Sequence, residues 1–488
     1  MDKAIFRNFA INFTGQILPT FVSLITVPLY IRLLGVDRYG FVALTGVFVA
    51  YFGMLDLGMG IATENRVCRI QLGTSDAPID GVFWSACWAN LVTGIAGAVI
   101  MYCAGLLYVA HFSTAPPPLR RELVESLPWL AGSIPVANVG AVFAGAISGA
   151  QRFTVLNMNQ TIGTFIEQLL PLGAICLLGA HLPVVIASIA LVRLGTVMAL
   201  GIAAVRILQI RQVLPPVFRT IRALFGYGGW IMLTTGIAMI GDTLDTVMLG
   251  MTLGARFVTY YTVPQKLVTR LNLVALSLTR TLFPRLVACE REHADQIVRT
   301  SMTFLTTLFT PLAIVCIFAI GPFLSLWIGH DLSIVSSPVG RILIVAIWVS
   351  GQSNVLRVLI QAQKNPATLA HLGLIELPFF GALLWFATSN YGITGASIVV
   401  VIRGLIDYGI LLRLSHMGAR RLVPSMLTHF AFLVASVLLA DSLDSPALLG
   451  AVGLVMLAAN VGLSFYRLAS LRIMAQTLFG RLNLRKNP

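Results

Sequence analysis

The sequence predicts an all-α polytopic membrane protein with about 14 transmembrane helices. Hydrophobic residues make up 57% of the chain and charged residues only 11%, whereas a soluble domain carries about 25% charged residues. The mean hydropathy is +0.88. A surface so poor in charge is not stable in water, and the apolar stretches reach the roughly 20 residues that a span requires. Large soluble catalytic or binding domains are therefore excluded.

The predicted spans are apolar runs separated by short polar connections. They cover residues 9–33, 39–63, 81–108, 129–150, 155–178, 184–205, 229–253, 260–286, 302–328, 342–361, 369–388, 392–412, 426–440 and 447–465. The basic, amphipathic connector 207–225 is expected to be a helix on the cytoplasmic face. It separates a predicted bundle of about six spans in residues 1–214 from a second in 215–415, which leaves two trailing helices and a basic tail in 416–488.

Positive charges are distributed asymmetrically between the two sides of the membrane. The chain carries 33 lysine and arginine residues and a net charge of +14. When alternate connections are assigned to opposite sides, 21 of these residues fall on the side of the amino terminus and six on the other. This asymmetry follows the positive-inside rule and predicts that both termini are cytoplasmic. It also accounts for the basic charge without nucleic acid as a partner.

No pattern in the sequence predicts a metal site, a cofactor or an ATP-driven motor. The six cysteines form no CxxC pair, the histidines show no metalloprotease spacing, and a Walker A motif is absent. The longest outward connection, 111–128, contains only two acids, Glu122 and Glu125. A membrane enzyme would usually present a longer outward loop with catalytic acids or a histidine.

Three cationic side chains in the predicted eighth span form the clearest candidate site. On a continuous helix, Lys266, Arg270 and Arg280 fall on one face within about 80°. An ionisable residue at membrane depth costs about 2.5–3.5 kcal/mol on insertion scales and is tolerated beside a polar cavity or a partner. The stripe predicts a hydrated cationic cavity, although ion pairs with acids of the seventh span remain an alternative. By contrast, Arg403 and Asp407, at i and i+4, are expected to pair with each other.

Four acids in the predicted spans are candidates for coupling transport to a cation. Asp242 and Asp245, at i and i+3 of the seventh span, share a face. Asp56 lies among glycines in the second span, and Glu167 is the lone acid of the fifth. Because burial disfavours the ionised carboxylate, each acid is a candidate proton site. An interhelical hydrogen bond is the alternative role for Asp56 and for Glu167.

Two segments near the amino terminus resemble a known family. The run PLYIRLLGVDRYGFVAL at residues 28–44, followed by YFGMLDLG at 51–58, is similar to the opening of the Wzx-type polysaccharide flippases. That family belongs to the same superfamily as the multidrug and toxin extruders and the lipid II flippase. The matching positions of the second half are Asp245, Leu249, Gly250, Leu253, Gly254, Tyr260 and Pro284.

The resemblance implies a V-shaped carrier of two six-helix bundles in the bacterial inner membrane. Such a carrier moves undecaprenyl-pyrophosphate-linked oligosaccharide by alternating access, with a cationic central cavity for the charged headgroup. Carried over to this chain, Lys266, Arg270 and Arg280 would meet pyrophosphate or acidic sugars. Asp245 would be the first choice as the acid that exchanges a proton or sodium ion. Membrane lipids, glycosyltransferases and a polysaccharide polymerase are the implied partners.

Two other functional classes remain open at this stage. A cation-coupled multidrug-type antiporter would favour a mainly acidic or apolar cavity, whereas the candidate cavity here is rich in arginine. A membrane glycan polymerase or ligase would need catalytic residues on its outward connections, and this chain provides few of them there.

Overall fold

The structure is a computed structural model that describes residues 22–53, 56, 58–71, 78–112, 116–288, 291–363, 367–415, 419–443 and 445–463. The regular secondary structure in these ranges is helical. In chain order the helices are α1 Val22–Leu34, α2 Val36–Gly53, α3 Met59–Gln71, α4 Ile79–Leu107, α5 Pro117–Gly149, α6 Phe153–Leu178, α7 Leu182–Leu208, α8 Phe218–Thr252, α9 Ala255–Val268, α10 Asn272–Ala288, α11 Arg291–Ile328, α12 His330–Gln363, α13 Ala367–Ser415, α14 Ala419–Ser442 and α15 Pro446–Leu463.

The surfaces of these helices are suited to lipid. Within the described ranges, nine helices are long and apolar enough to cross a membrane. Large apolar side chains point outward from them, and Leu177 and Leu326 are 86% and 88% exposed. Extensive exposed apolar surface of this kind marks contact with a membrane. The predicted all-α polytopic membrane fold is confirmed.

Helix α13 is two helices joined at Gly392. This glycine has φ +60° and ψ −144°, which is not helical. A Cβ atom on Gly395 would lie 2.4 Å from the carbonyl oxygen of Ala387, eight residues earlier. Eight residues of one continuous helix would span about 12 Å, so the chain folds back at Gly392. The fold-back agrees with the two separate spans predicted on either side of this position.

The chain divides into two compact units, residues 1–259 and 260–488. In the first unit, α5 packs against α3, α4 and α7. The rings of Phe83 and Phe143 stack at 5.7 Å in its core, beside the fully buried Ile147. The predicted division into 1–214, 215–415 and 416–488 stays a prediction.

The second unit is organised around α12, which packs against α10, α11, α13 and α14. Trp348 of α12 is completely buried, and its indole N–H donates to the hydroxyl of Thr310 at 3.0 Å. Lipid provides no partner for an indole N–H, so this bond satisfies the polar end of the largest fully buried side chain among the described residues of the unit.

Two predicted connections differ from the observed structure. The outward connection predicted at 111–128 is mostly helical, because a π-helix covers Tyr108–Phe112 and α5 begins at Pro117, where proline suits the first turn. The connector 207–225 is not one amphipathic helix. Residues 210–217 are irregular, since the Pro-Pro pair there lacks backbone donors. The hydroxyl of Ser85 accepts the backbone N–H of Val217 at 3.0 Å.

The predicted second span is also interrupted. Helix α2 ends at Gly53 and α3 begins at Met59. Between them, the backbone N–H of Gly58 donates to the carboxylate of Asp56 at 2.9 Å. This bond satisfies the backbone donor of Gly58, whose φ of +69° is not helical.

A close crossing of α3 and α5 gives the first testable prediction. A Cβ atom on Gly145 would lie 2.0 Å from the carbonyl oxygen of Gly60, whereas one on Gly132 of the same helix would meet nothing within 4 Å. We expect Gly145→Ala to destabilise the protein by about 1–3 kcal/mol through overpacking. Gly132→Ala should be neutral or stabilising by up to about 1 kcal/mol, because alanine favours helix. Thermal unfolding in detergent measures both variants, and equal stability would contradict the close crossing.

Candidate functional site

Lys266 and Arg270 flank a break in the predicted eighth span. Helix α9 ends at Val268, a 3₁₀ turn covers Thr269–Leu271, and α10 starts at Asn272. Both cationic side chains are exposed, and so is Thr269 between them. Backbone that departs from the α-helix at membrane depth occurs where it is buried in protein or lines a watery cavity. The exposure of this turn favours the cavity.

The break changes the predicted cationic stripe. The one-face prediction assumed a continuous helix of 100° per residue, but three residues of a 3₁₀ helix rotate the chain by about 60° more. Lys266 and Arg270 therefore belong to one short segment, and Arg280 belongs to the next helix, α10. The side chain of Arg280 lies outside the described part of the structure, so its place in the site stays a prediction.

The two acids of α8 differ in their surroundings. Asp242 is exposed, whereas Asp245 is buried. The backbone N–H and the hydroxyl of Thr246 both donate to the carboxylate of Asp245, at 2.6 and 3.2 Å. Nearby on the same helix, the hydroxyl of Thr243 is hydrogen-bonded to that of Tyr51 in α2 at 2.5 Å. Asp245 is thus the more desolvated of the two acids.

The other two candidate acids have defined partners. Glu167, the lone acid of its predicted span, pairs with Arg193 of α7 at 3.2 Å. This partner lies on the next helix, and spacing along a single helix gave no sign of it. Asp56 accepts the Gly58 backbone N–H at the break between α2 and α3. The contact of Glu167 agrees with the interhelical hydrogen bond considered for it, whereas that of Asp56 is local, and neither contact tests a part in coupling.

A group of charged side chains in the second unit was not predicted as a group. Asp407 pairs with Arg357 of α12 at 2.8 Å, whereas the expected partner was Arg403. The guanidinium of Arg403 lies over the ring of Phe380, 4.4 Å from its centroid. Glu376 interacts electrostatically with both arginines and with Asp407. Two cations and two acids balance one another, so this group adds no net charge.

Each acid of this group keeps one buried oxygen without a partner. Within the described ranges, Oδ1 of Asp407 and Oε1 of Glu376 accept no hydrogen bond. The sequence showed these residues only as separate charges in different spans. Arg357 and Asp407 are fifty positions apart, so no helical period could have connected them.

On the predicted outward side, Glu122 is held by several donors. Nε and Nη2 of Arg38 donate to its two carboxylate oxygens at 2.9 and 2.5 Å. The backbone N–H of Leu182 donates to the same carboxylate at 3.0 Å. A carboxylate engaged in this way joins α2, α5 and the start of α7. It is poorly placed to act as a catalytic acid.

Accessibility to a thiol reagent tests whether Lys266 and Arg270 line water. In a chain whose six cysteines are replaced, we expect Lys266→Cys and Arg270→Cys to react with a charged thiol reagent at least about tenfold faster than Val268→Cys, because only exposed thiols ionise readily. Val268 is the control because it lies between them and is buried. Equal inertness at all three positions would favour buried ion pairs.

Comparison with known proteins identifies the family. The profile of the family described as "Polysaccharide biosynthesis protein" matches residues 29–334, which is more than half of the chain. The "Putative O-antigen transporter" of Shigella flexneri is 22% identical over 414 residues, covering 83% of this chain and 96% of the relative.

Solved structures show the same fold at low sequence identity. The lipid II flippase MurJ, in an inward closed conformation, has a TM-score of 0.74 at 13% identity and covers 94% of this chain and 99% of its own. An inward-facing multidrug resistance MATE family transporter of the MOP superfamily has a TM-score of 0.67 at 14% identity, covering 85% and 99%. From its family match, the chain belongs to the family described as polysaccharide biosynthesis protein, and it is a multi-pass membrane protein with the fold of these solved structures.

Proposed function

We propose that this protein is a flippase for undecaprenyl-pyrophosphate-linked oligosaccharide, such as a repeat unit of O-antigen, exopolysaccharide or capsule. It acts in the bacterial inner membrane by alternating access, with both termini in the cytoplasm. The observation that carries the proposal is the exposed pair Lys266 and Arg270 at a non-helical turn of a membrane segment. The relative named as an O-antigen transporter and the lipid II flippase of similar fold support it.

The chemistry of the headgroup explains why cations are needed at this place. A diphosphate with attached sugars cannot enter hydrocarbon, because its charges and hydroxyls would lose their hydration. A polar cavity must replace the lost water with hydrogen-bond donors. Arg270 offers a planar fork that can bind two phosphate oxygens at once, and Lys266 offers a compact charge. The lipid tail can meanwhile remain in the bilayer.

The two competing classes fit the site less well. A multidrug antiporter of the same fold would favour an acidic or apolar cavity, whereas the exposed turn presents two cations. A glycan polymerase or ligase would need a catalytic group on the outward side. There, Glu122 is already bound by Arg38 and by the backbone of Leu182.

We further propose that transport is coupled to a proton or sodium ion through Asp245. Neutralising this buried acid would remove a negative charge that competes with phosphate for cations of the carrier, and ionising it would restore that competition. Binding of the cation and binding of the substrate would then be mutually exclusive, which is the minimum requirement for coupling. The alternative is that the polysaccharide polymerase and glycosyltransferases draw transport forward by consuming the substrate outside.

Reconstitution tests both parts of the proposal. Proteoliposomes containing the purified protein are loaded with the lipid-linked saccharide. The saccharide is extracted from source cells that lack this protein. We expect net accumulation of that lipid in one leaflet under an imposed proton or sodium gradient, and no response to either gradient in Asp245→Asn. Asp331→Asn is a matched control, because Asp331 is exposed at the start of α12.

The possible failures are distinct. Absence of any protein-dependent movement of the lipid would overturn the flippase. Equal accumulation with and without gradients, with Asp245→Asn behaving as the unmodified chain, would overturn only the coupling.

A further inference from the structure

Helix α6 has two unlike faces within the membrane. On a helix of 100° per residue, five of its seven neutral polar side chains fall in an arc of about 100°, whereas Asn159 lies on another face and donates to the backbone carbonyl of Thr196 in α7 at 3.3 Å. We call these five residues the amide stripe: Asn157, Gln160, Thr161, Thr164 and Gln168. Successive members are three, one, three and four positions apart, so they follow one side of the helix for about 16 Å.

The opposite face of α6 is suited to lipid. Its side chains are large and apolar, and Met158, Ile162, Ile166 and Leu169 are all exposed. The hydrocarbon therefore contacts this side of the helix. The amide stripe lies on the other side of the helix, where Gln168 contacts α1.

The side chains of the amide stripe are not fully covered by neighbouring helices. The side chain of Gln160 is exposed, and those of Asn157, Thr161, Thr164 and Gln168 are half-buried. An amide or hydroxyl at membrane depth is costly when hydrocarbon surrounds it. The hydroxyl of Thr164 donates to the backbone carbonyl of Gln160 at 2.8 Å, and the partly open polar surface is suited to contact with water or a polar ligand.

One end of the amide stripe is held in place by α1. The hydroxyl of Tyr30 donates to the backbone carbonyl of Gln168 at 3.0 Å, and that of Thr26 donates to the side-chain carbonyl of Gln168 at 3.4 Å. Both α1 residues are buried. Their contacts fix the position of α6 at this end, and a preorganised polar surface loses less entropy when a ligand binds.

The chemistry of the amide stripe distinguishes between parts of a lipid-linked saccharide. Amides and hydroxyls both donate and accept hydrogen bonds, as sugar hydroxyls do. The five residues carry no charge, and the adjacent Arg193 is already paired with Glu167 at 3.2 Å. The surface is therefore poorly suited to a diphosphate, and it is too polar for a lipid tail.

We propose that the amide stripe binds the hydroxyl groups of the transported glycan. This inference rests on the proposed function and adds a second site to it. The diphosphate site proposed at Lys266 and Arg270 and the glycan site proposed at the amide stripe contribute separately to recognition of the lipid-linked saccharide. The stripe then contributes to selection among glycans, because hydrogen bonds to individual hydroxyls depend on their positions.

Binding measurements with two lipids test this assignment. The purified full chain in detergent is titrated with bare undecaprenyl pyrophosphate and with the lipid-linked saccharide extracted from source cells that lack the chain. We expect the saccharide to improve affinity at least about tenfold, as two hydrogen bonds of ordinary strength would. In the double variant Gln160→Leu/Thr164→Val, the two affinities should agree within about twofold.

Two further variants make the result interpretable. Gln160→Met removes the amide with little change in length, and it serves if the double variant does not fold. Met158→Leu/Ile162→Val changes only the lipid-facing side of α6 and should preserve the tenfold difference. Retention of that difference in the Gln160 variants would mean that the stripe only contacts water, and equal losses for both lipids would mean a structural role. Either result overturns the inference.

The outcome for the unmodified chain separates this inference from the proposed function. Binding of neither lipid would overturn the proposed function. Equal binding of the two lipids would overturn glycan recognition, while recognition of the diphosphate would stand.

Discussion

Replacing Lys266 and Arg270 together by glutamine is expected to slow transport of the lipid-linked saccharide by at least about a hundredfold, because each charged hydrogen bond contributes about 1.5–3 kcal/mol. The two side chains are exposed at the turn between α9 and α10, and in the proposed function they replace the water around a diphosphate. The measurement is the rate at which the saccharide in proteoliposomes becomes accessible to an added reagent that cannot cross the membrane.

Two controls separate charge from position. Arg270→Lys keeps the charge but loses the planar fork, so we expect an intermediate rate. Arg256→Gln removes an exposed arginine from the start of α9, ten positions before Lys266, and should leave the rate within about twofold, as for a surface charge outside the site. A normal rate in Lys266→Gln/Arg270→Gln would contradict the assignment of the headgroup site. Equal losses in all variants would indicate a general effect on the fold.

Removing Arg357 is expected to have the largest effect on stability, about 3–5 kcal/mol, since it leaves a buried charge without its partner. The side chain of Asp407 is only 7% exposed and pairs with Arg357 at 2.8 Å. Its other oxygen, Oδ1, has no hydrogen-bond partner among the described residues. The variant Arg357→Leu therefore leaves this carboxylate without the ion pair that compensates its burial. The free energy of unfolding, from denaturation in mixed detergent micelles, measures the loss.

The first unit provides a matched comparison for this loss. Glu167 pairs with Arg193 at 3.2 Å, but its side chain is 35% exposed. We expect Arg193→Leu to cost about 1 kcal/mol or less, as for partly solvated pairs. The double variant Arg357→Leu/Asp407→Leu removes both charges and should recover most of the stability lost in Arg357→Leu. If Arg357→Leu and Arg193→Leu were equally stable, burial of the acid would not be the cause.

The break beside Lys266 could not be predicted from the residues that form it. The residues across it, VTRLN at 268–272, contain neither glycine nor proline. Local propensity therefore gave no reason to interrupt the helix. By contrast, the fold-back in α13 coincides with a predicted boundary, because Gly392 allows a backbone that other residues rarely adopt.

The candidate acids show the same difference between neighbours within one helix, which spacing predicts, and neighbours on other helices, which it does not. Spacing along one helix placed Asp242 and Asp245 on a shared face, yet only Asp245 is buried. It also favoured a contact between Arg403 and Asp407, whereas the partner in the structure is Arg357. Periodicity describes neighbours within a helix, and it contains no information about which helix packs beside it.

The sequence by itself determined the class of the protein, because lipid admits only long apolar helices and their composition is visible without a structure. It also determined the family, through segments that include PLYIRLLGVDRYGFVAL, and it identified the charges that a membrane protein retains only at a cost. Only the tertiary structure decided the partners of those charges. Glu167 and Arg193 lie on neighbouring helices, as do Asp407 and Arg357, and such pairs form only when the helices pack.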